Sequence, residues 1–113
     1  VRSNEMYSNA EILEEVRKHV SSTVTARSTR LSSTATPLTH PVVEKGKEIG
    51  RTVFGSPTLS DQALMNFASV KMGPGDSSRS HTADEYIILE EIREAIEVYI
   101  CLLDRLQIEK SAQ

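Results

Sequence analysis

The stretch Phe67-Ala68-Ser69-Val70-Lys71-Met72-Gly73-Pro74-Gly75, followed six residues later by Thr82-Ala83-Asp84-Glu85, decides how the fold is read. Apolar and polar residues alternate over 67–72, which predicts a strand. Gly73-Pro74-Gly75 ends it in a loop. Thr82 and Glu85 stand in the register of a capping box, with acids in the first turn where the helix dipole favours them. A strand running through a glycine-rich loop into a capped helix is the repeating unit of a layered α/β protein, with helices packed on a sheet.

The helix that begins at this box is predicted to run to about Ile108. Leu89, Ile92, Ile96, Tyr99, Leu103 and Leu106 keep a spacing of three and four, and Ile88, Ala95 and Leu102 widen the stripe into a core-facing surface. Heptads are few and the flanking charges irregular, which favours a helix lying on a sheet over a coiled coil. Upstream, Ser8-Asn9-Ala10-Glu11 is another capping box, and Ile12, Leu13, Val16 and Val20 place a helix over about 9–20. Thr23–Arg27 alternates and is β-branched, so it reads as a strand. The Ser- and Thr-rich run 28–36 reads as an extended edge strand, a loop or a polar linker. Pro41 suits a first helical turn, and Val42, Val43 and Ile49 carry that helix to about Arg51. Thr52-Val53-Phe54 reads as a short buried strand, 55–60 as a loop, and Ala63–Met65 as one helical turn.

A chain of 113 residues and 12.5 kDa allows one ordinary domain with a modest, aliphatic core, since Trp is absent and aromatics are 4%. Net charge is −3 and the pI about 5.6. The cations Arg17, Lys18, Arg27, Arg30 and Lys45 are scattered, which argues against a nucleic-acid surface. No apolar run reaches membrane-spanning length, and no signal peptide is visible. The single Cys101 cannot form an internal disulfide, which favours a reduced, cytoplasmic setting. Val1, with no initiator Met, reads as the continuation of a longer protein.

Of three histidines, His19 reads as a solvated helix-end residue and His40, ahead of Pro41, as a flank of the next helix. His81 differs. It lies between the Gly73–Gly75 loop and a helix start, a usual place for a site in an α/β protein. The glycines permit close backbone approach, and consecutive N–H groups suit an anion. Imidazole is a common zinc ligand, so His81 is read either as a ligand or as a hydrogen-bonded structural residue. One histidine does not make a catalytic zinc site, which takes about three protein ligands. The carboxylates Asp61, Asp76, Asp84 and Glu85 are the other candidates, although Asp84 and Glu85 suit a helix start. No His-x-His, His-Glu-x-x-His, phosphate loop, serine elbow or dinucleotide fingerprint is present.

Lys71-Met72-Gly73-Pro74-Gly75 through Ser80-His81-Thr82-Ala83-Asp84-Glu85-Tyr86-Ile87 resembles the last conserved block of the acetylornithine deacetylase and succinyl-diaminopimelate desuccinylase family. Gly55-Ser56-Pro57-Thr58-Leu59-Ser60-Asp61 is similar to that family's Gly-rich Thr-Ser-Asp loop, and Val1-Arg2-Ser3-Asn4-Glu5 to the end of a lid-domain strand. The resemblance runs the length of the chain and is most specific around His81. It implies a C-terminal piece of a two-zinc amidohydrolase. Residues 1–51 would be part of an α/β lid, or dimerisation, domain and its return crossing. Residues 52–113 would be the closing strand–helix segment of a zinc-peptidase-like catalytic domain.

The resemblance further implies that His81 ligates one of two Zn²⁺ ions, with Co²⁺ a possible substitute. Arg2 would hold the substrate carboxylate, a task that suits a guanidinium. Thr58, Ser60, Gly73, Gly75 and Ser77 would lie beside the substrate. Water would hydrolyse the acyl amide of an N-acyl amino acid such as acetylornithine, in amino-acid (arginine) biosynthesis, with a glutamate outside this sequence as general base. No catalytic residue falls within the chain, and its partners would be the substrate, the N-terminal part of the same protein and a second copy in a homodimer, with neither nucleic acid nor membrane. Three positions depart from the pattern. Ala83 stands for the usual Pro, Leu59 separates Thr58 from Ser60-Asp61, and the loop before His81 is serine-rich where desuccinylases tend to carry Asn. The other reading is a non-catalytic α/β module that dimerises through the 23–31 strand or the long helix.

Overall fold

A computed structural model describes residues 3–109, and the order of elements is helical throughout. Helix α1 spans Asn9–His19, α2 Pro41–Glu48 and α3 Leu89–Leu103, with short 3-10 turns at Asp61–Leu64 and Ser77–Arg79. The chain forms two compact units. The first takes the residues up to Pro37 with Ser56–Ser69, and the second Leu38–Gly55 with the residues from Val70 onward.

Local chemistry accounts for each helix. Ser8 caps α1: its Oγ accepts from Glu11 N at 3.2 Å, and the Glu11 carboxylate accepts from Ser8 N at 2.7 Å. That hydrogen bond from the Ser8 N–H is the main cause holding Glu11 below the usual carboxylate range. Glu14–Arg17 and Glu15–Lys18 pairs line the exposed face, and Arg17, Lys18 and His19 suit the C-terminal dipole. In α2, Pro41 occupies the first turn and His40 caps it, its Nδ1 accepting from Val42 N at 3.3 Å. Gly50, at φ +81°, ends α2 in a Schellman motif: Arg51 N donates to Gly46 O and Gly50 N to Lys47 O.

The expected α/β class is overturned: no strand forms among the described residues. Thr23–Arg27, 28–36, Thr52–Phe54 and 67–72 are extended or irregular, so neither an α/β lid portion nor a closing strand–helix segment is built. In the first unit the reason is competition. Side chains take the backbone groups that a ladder would need. Asn9 Nδ2 donates to the carbonyls of Thr29 and Leu31, and Arg17 donates twice to Val24 O. Thr36 Oγ1 and Gln62 Nε2 both donate to Ser69 O. A single backbone bond, Ser32 N to Ala63 O at 3.1 Å, crosses between these segments. In the second unit, Val53 and Phe54 are 51% and 74% exposed and belong to no strand. Alternation marks which face of a segment seeks cover, and a sheet additionally needs a second strand beside it.

The long helix also starts later than expected. Thr82 does not cap it. Thr82 Oγ1 donates to Arg79 O at 2.6 Å, and the Glu85 carboxylate accepts from His81 N at 3.0 Å. His81 and Asp84, at φ 60° and 54°, turn the chain in the left-handed region. Helical backbone begins after Ile88, where Glu91 reaches back to accept Ile88 N at 3.2 Å.

Little is buried. Val43 and Leu102, in the packed pair α2 and α3, and Ala63 in the first unit make up the buried apolar set among the described residues. Arg51 pairs with Glu94 at 2.9 Å, and Tyr99 Oη donates to Met72 O at 2.8 Å, both tying segments to α3. Leu89, Ile96 and Leu103 on the expected core stripe stay exposed. The chain presents 9799 Å² to solvent. Among the described residues no helix is long and apolar enough to cross a membrane.

Two substitutions should separate capping from packing. Leu102→Ala is expected to destabilise the α2–α3 pair by about 2–4 kcal/mol, by lost transfer energy plus a cavity. Ser8→Ala should cost α1 about 1 kcal/mol. Residue-resolved hydrogen exchange reads both, and each loss should stay in its own unit.

Candidate functional site

Four of the expected site residues, Gly73, Gly75, Ser77 and His81, lie on the loop between Gly73 and Ile88, in the second unit. Gly75 starts the turn at φ +82°, a conformation costly for any side chain. A Cβ there would stand 3.5 Å from the Ile87 side chain, an ordinary contact, so the dihedral itself is what demands glycine. Asp76 caps the 3-10 turn, its carboxylate accepting from Ser78 N at 2.8 Å. This hydrogen bond holds the Asp76 carboxyl below its usual range.

Arg79 closes the loop onto α3. Its Nη1 donates to Glu91 Oε2 at 2.9 Å, and Nη2 donates to Oε1 in a second, shorter bond. The guanidinium also lies 5.0 Å from the centroid of the Tyr86 ring, a cation–π distance. Both partners of the ion pair are mostly covered, with side chains 18% and 28% exposed. The Arg79 hydrogen bonds hold Glu91 below the usual carboxylate range, with the Ile88 N–H adding to them, and the same bonds push Arg79 upward. Bidentate pairing of this kind fixes direction as well as distance.

His81 stands two residues past Arg79. Its backbone N–H is engaged by Glu85, while its imidazole makes no hydrogen bond to any described residue and is exposed. Of the other expected site residues, Gly73, Gly75 and Ser77 share this loop. Ser77 opens the 3-10 turn, and its carbonyl accepts from Ser80 N. Thr58 and Ser60 fall in the first unit. Thr58 Oγ1 meets Ser56 Oγ at 2.7 Å, and Ser60 O accepts from Ala63 N. Arg2 lies outside the described residues. Two open depressions, along Glu90–Glu97 on α3 and around Ser3, Tyr7 and Ser33, do not include His81.

His40 is a helix cap, and His19 is an exposed helix-end residue with Nδ1 2.9 Å from Glu15 O. Among the described residues no group of three or more His, Cys, Asp or Glu is placed to hold a metal ion. A free imidazole fits one ligand position, while Glu85 and Asp76 are turned to backbone N–H groups. Among the described residues the His81 ring has no second His, Cys, Asp or Glu grouped with it into a metal-binding set.

No family model and no curated protein matches the chain. Its likeness to the deacetylase family rests on the quoted residues alone. Sequence reading missed Arg79, Tyr86 and Glu91. Glu91 carried one signal, its position three residues after the residue that proves to cap α3.

Because Glu91 and Asp76 have folded-state pKa values below their ordinary 4.5 and 3.8, their contribution to loop order is fully present above those values. It is lost as the pH falls through the lower folded values. Amide exchange at Ser78 and Ile88 should therefore be flat from neutral pH to about pH 5 once corrected for intrinsic rates, and accelerate below about pH 4. Gly75→Ala is expected to cost about 1–2 kcal/mol through its dihedral, measured by chemical denaturation.

Proposed function

We propose that the chain is one part of a zinc-dependent amidohydrolase that removes an acetyl or succinyl group from an N-acyl amino acid such as acetylornithine, and that it is inactive alone. The observation that carries this reading is the presentation of His81. Its main chain is held in the left-handed region with its N–H satisfied, and its ring is left free at the rim of a Gly-Pro-Gly loop. Non-glycine residues in that region are uncommon, and where structure enforces them they concentrate at functional sites. Two such residues, His81 and Asp84, occur within four positions.

In this reading His81 holds one of two zinc ions. The remaining ligands and the general-base glutamate belong to polypeptide outside the sequence. Zinc there supplies Lewis-acid polarisation of the acyl carbonyl. This chain's residues bind and orient: Arg2 the carboxylate of the substrate, and Thr58, Ser60, Gly73, Gly75 and Ser77 its flanks. Cobalt is an acceptable substitute, and the working protein is a cytoplasmic homodimer. The second reading, a non-catalytic interaction module, is favoured by the exposed apolar residues, among them Phe54 and Leu89 at 74% and 72%. A missing remainder of the same protein accounts for that exposure equally well.

The test is His81→Ala in the zinc-loaded protein that contains this sequence. Bound zinc should fall by about one of two ions and turnover by at least about 100-fold, with helicity unchanged. Full zinc content and activity would remove His81 from the site. The 113-residue chain supplied with zinc should not hydrolyse acetylornithine. Turnover by the chain alone would overturn the reading of an incomplete site.

A further inference from the structure

Arg79 is the residue of the loop with the most invested in it. It lies two positions before His81 and joins four features of the second unit. Its guanidinium takes both oxygens of Glu91 at the start of α3. Its charge sits over the Tyr86 ring at 5.0 Å. Its carbonyl accepts from Thr82 Oγ1 at 2.6 Å, on the far side of His81. Its own amide closes the 3-10 turn by donating to Asp76 O at 3.1 Å. His81 is thus bracketed: Arg79 O is bridged to Thr82 in front of it, and Glu85 takes its N–H from behind.

We propose that Arg79, locked by Glu91 and Tyr86, is a positioning residue that fixes the backbone of the 76–84 loop and so aims the His81 imidazole. The proposal rests on the reading of His81 as a zinc ligand for its purpose, and on the loop geometry for its physics. A left-handed main chain at His81 is intrinsically disfavoured by about 1–2 kcal/mol, so it persists only where neighbours over-determine it. The nearest of these are Glu85, which takes the His81 N–H, and Thr82, whose hydroxyl is bonded to Arg79 O; the Arg79 side chain, held by Glu91 and Tyr86, anchors that carbonyl. A bidentate guanidinium–carboxylate pair resists rotation as well as separation, which a lysine ammonium cannot do. Holding the ligand ready before the metal arrives spares the ordering cost at binding.

The experiment uses ¹⁵N-labelled 113-residue chain and four variants, Arg79→Gln, Arg79→Lys, Glu91→Gln and the charge exchange Arg79→Glu with Glu91→Arg. In the native chain His81 should show the strong intraresidue amide–Hα Overhauser effect of a positive φ and a backbone order parameter near 0.85. In Arg79→Gln and in Glu91→Gln that effect should weaken and the order parameter fall below about 0.6, while α3 keeps its helical shifts. Arg79→Lys should restore less than half of the loss, and the charge exchange more than half. His81 unchanged in Arg79→Gln overturns the proposal. So does loss of α3 together with the loop in both single glutamine variants, because the pair would then be supporting the helix and not aiming the loop.

Zinc affinity of the zinc-loaded protein is a separate readout. Arg79→Gln should weaken it by about 10–100-fold, as removal of a ligand's support does elsewhere. A disordered His81 with unchanged zinc affinity in Arg79→Gln removes the positioning role. If His81→Ala also leaves zinc untouched, the ligand reading itself has failed, and the two failures are thereby told apart.

Discussion

The carboxylate of Glu91 accepts from three N–H groups: two on Arg79 and the backbone of Ile88. The arrangements that shape the loop before α3 pass through that group. The Ile88 contact sets where α3 begins. The Arg79 contacts fold the 76–87 segment back onto the helix. The same carboxylate lies near Gly75, 3.7 Å from where a Cβ would stand. The charge is well placed, because the first turn of a helix favours an anion through its unsatisfied N–H groups. Cap, loop closure and dipole are therefore satisfied by one side chain. An amide in its place would keep an acceptor for Ile88 but would not hold a guanidinium at both oxygens.

Helices were legible in the sequence to within a few residues at most ends. Ser8 and Glu11 cap α1 as their spacing implies, and Pro41 opens α2 while Gly50 closes it. These are short-range signals, complete within one turn. The start of α3 was misplaced for a reason of the same kind. Thr82 and Glu85 have capping-box spacing, yet each found another partner three or four residues back, Arg79 O for the hydroxyl and His81 N–H for the carboxylate. Spacing alone does not tell a cap from a turn when both satisfy the same groups.

Strands were not legible as formed structure, because a strand is a statement about two segments. Thr23–Arg27 and 67–72 have the alternation of half-buried strands, yet neither forms one, and Arg27 and Phe67 sit in bends. What is missing is a neighbour with free N–H and C=O groups in register. In the first unit Asn9, Arg17, Thr36 and Gln62 occupy those groups. Of the candidate site, the sequence singled out His81 and the Gly73–Gly75 turn, and the structure places them on one loop. The sequence did not point to Arg79 and Tyr86, whose value depends on a fold that brings residues seven and twelve positions apart into contact.

The apolar stripe of α3 bears on both readings of function. Leu89, Ile96 and Leu103 are exposed although they share a helix with buried Leu102. The three recur at intervals of seven, so their exposed aliphatic surface runs along one face of the helix. The loop bearing His81 and the start of this helix are joined through Glu91. A change in how the first turn of α3 is held therefore reaches the loop that carries His81 through one side chain, because the carboxylate that accepts Ile88 N also holds the Arg79 guanidinium.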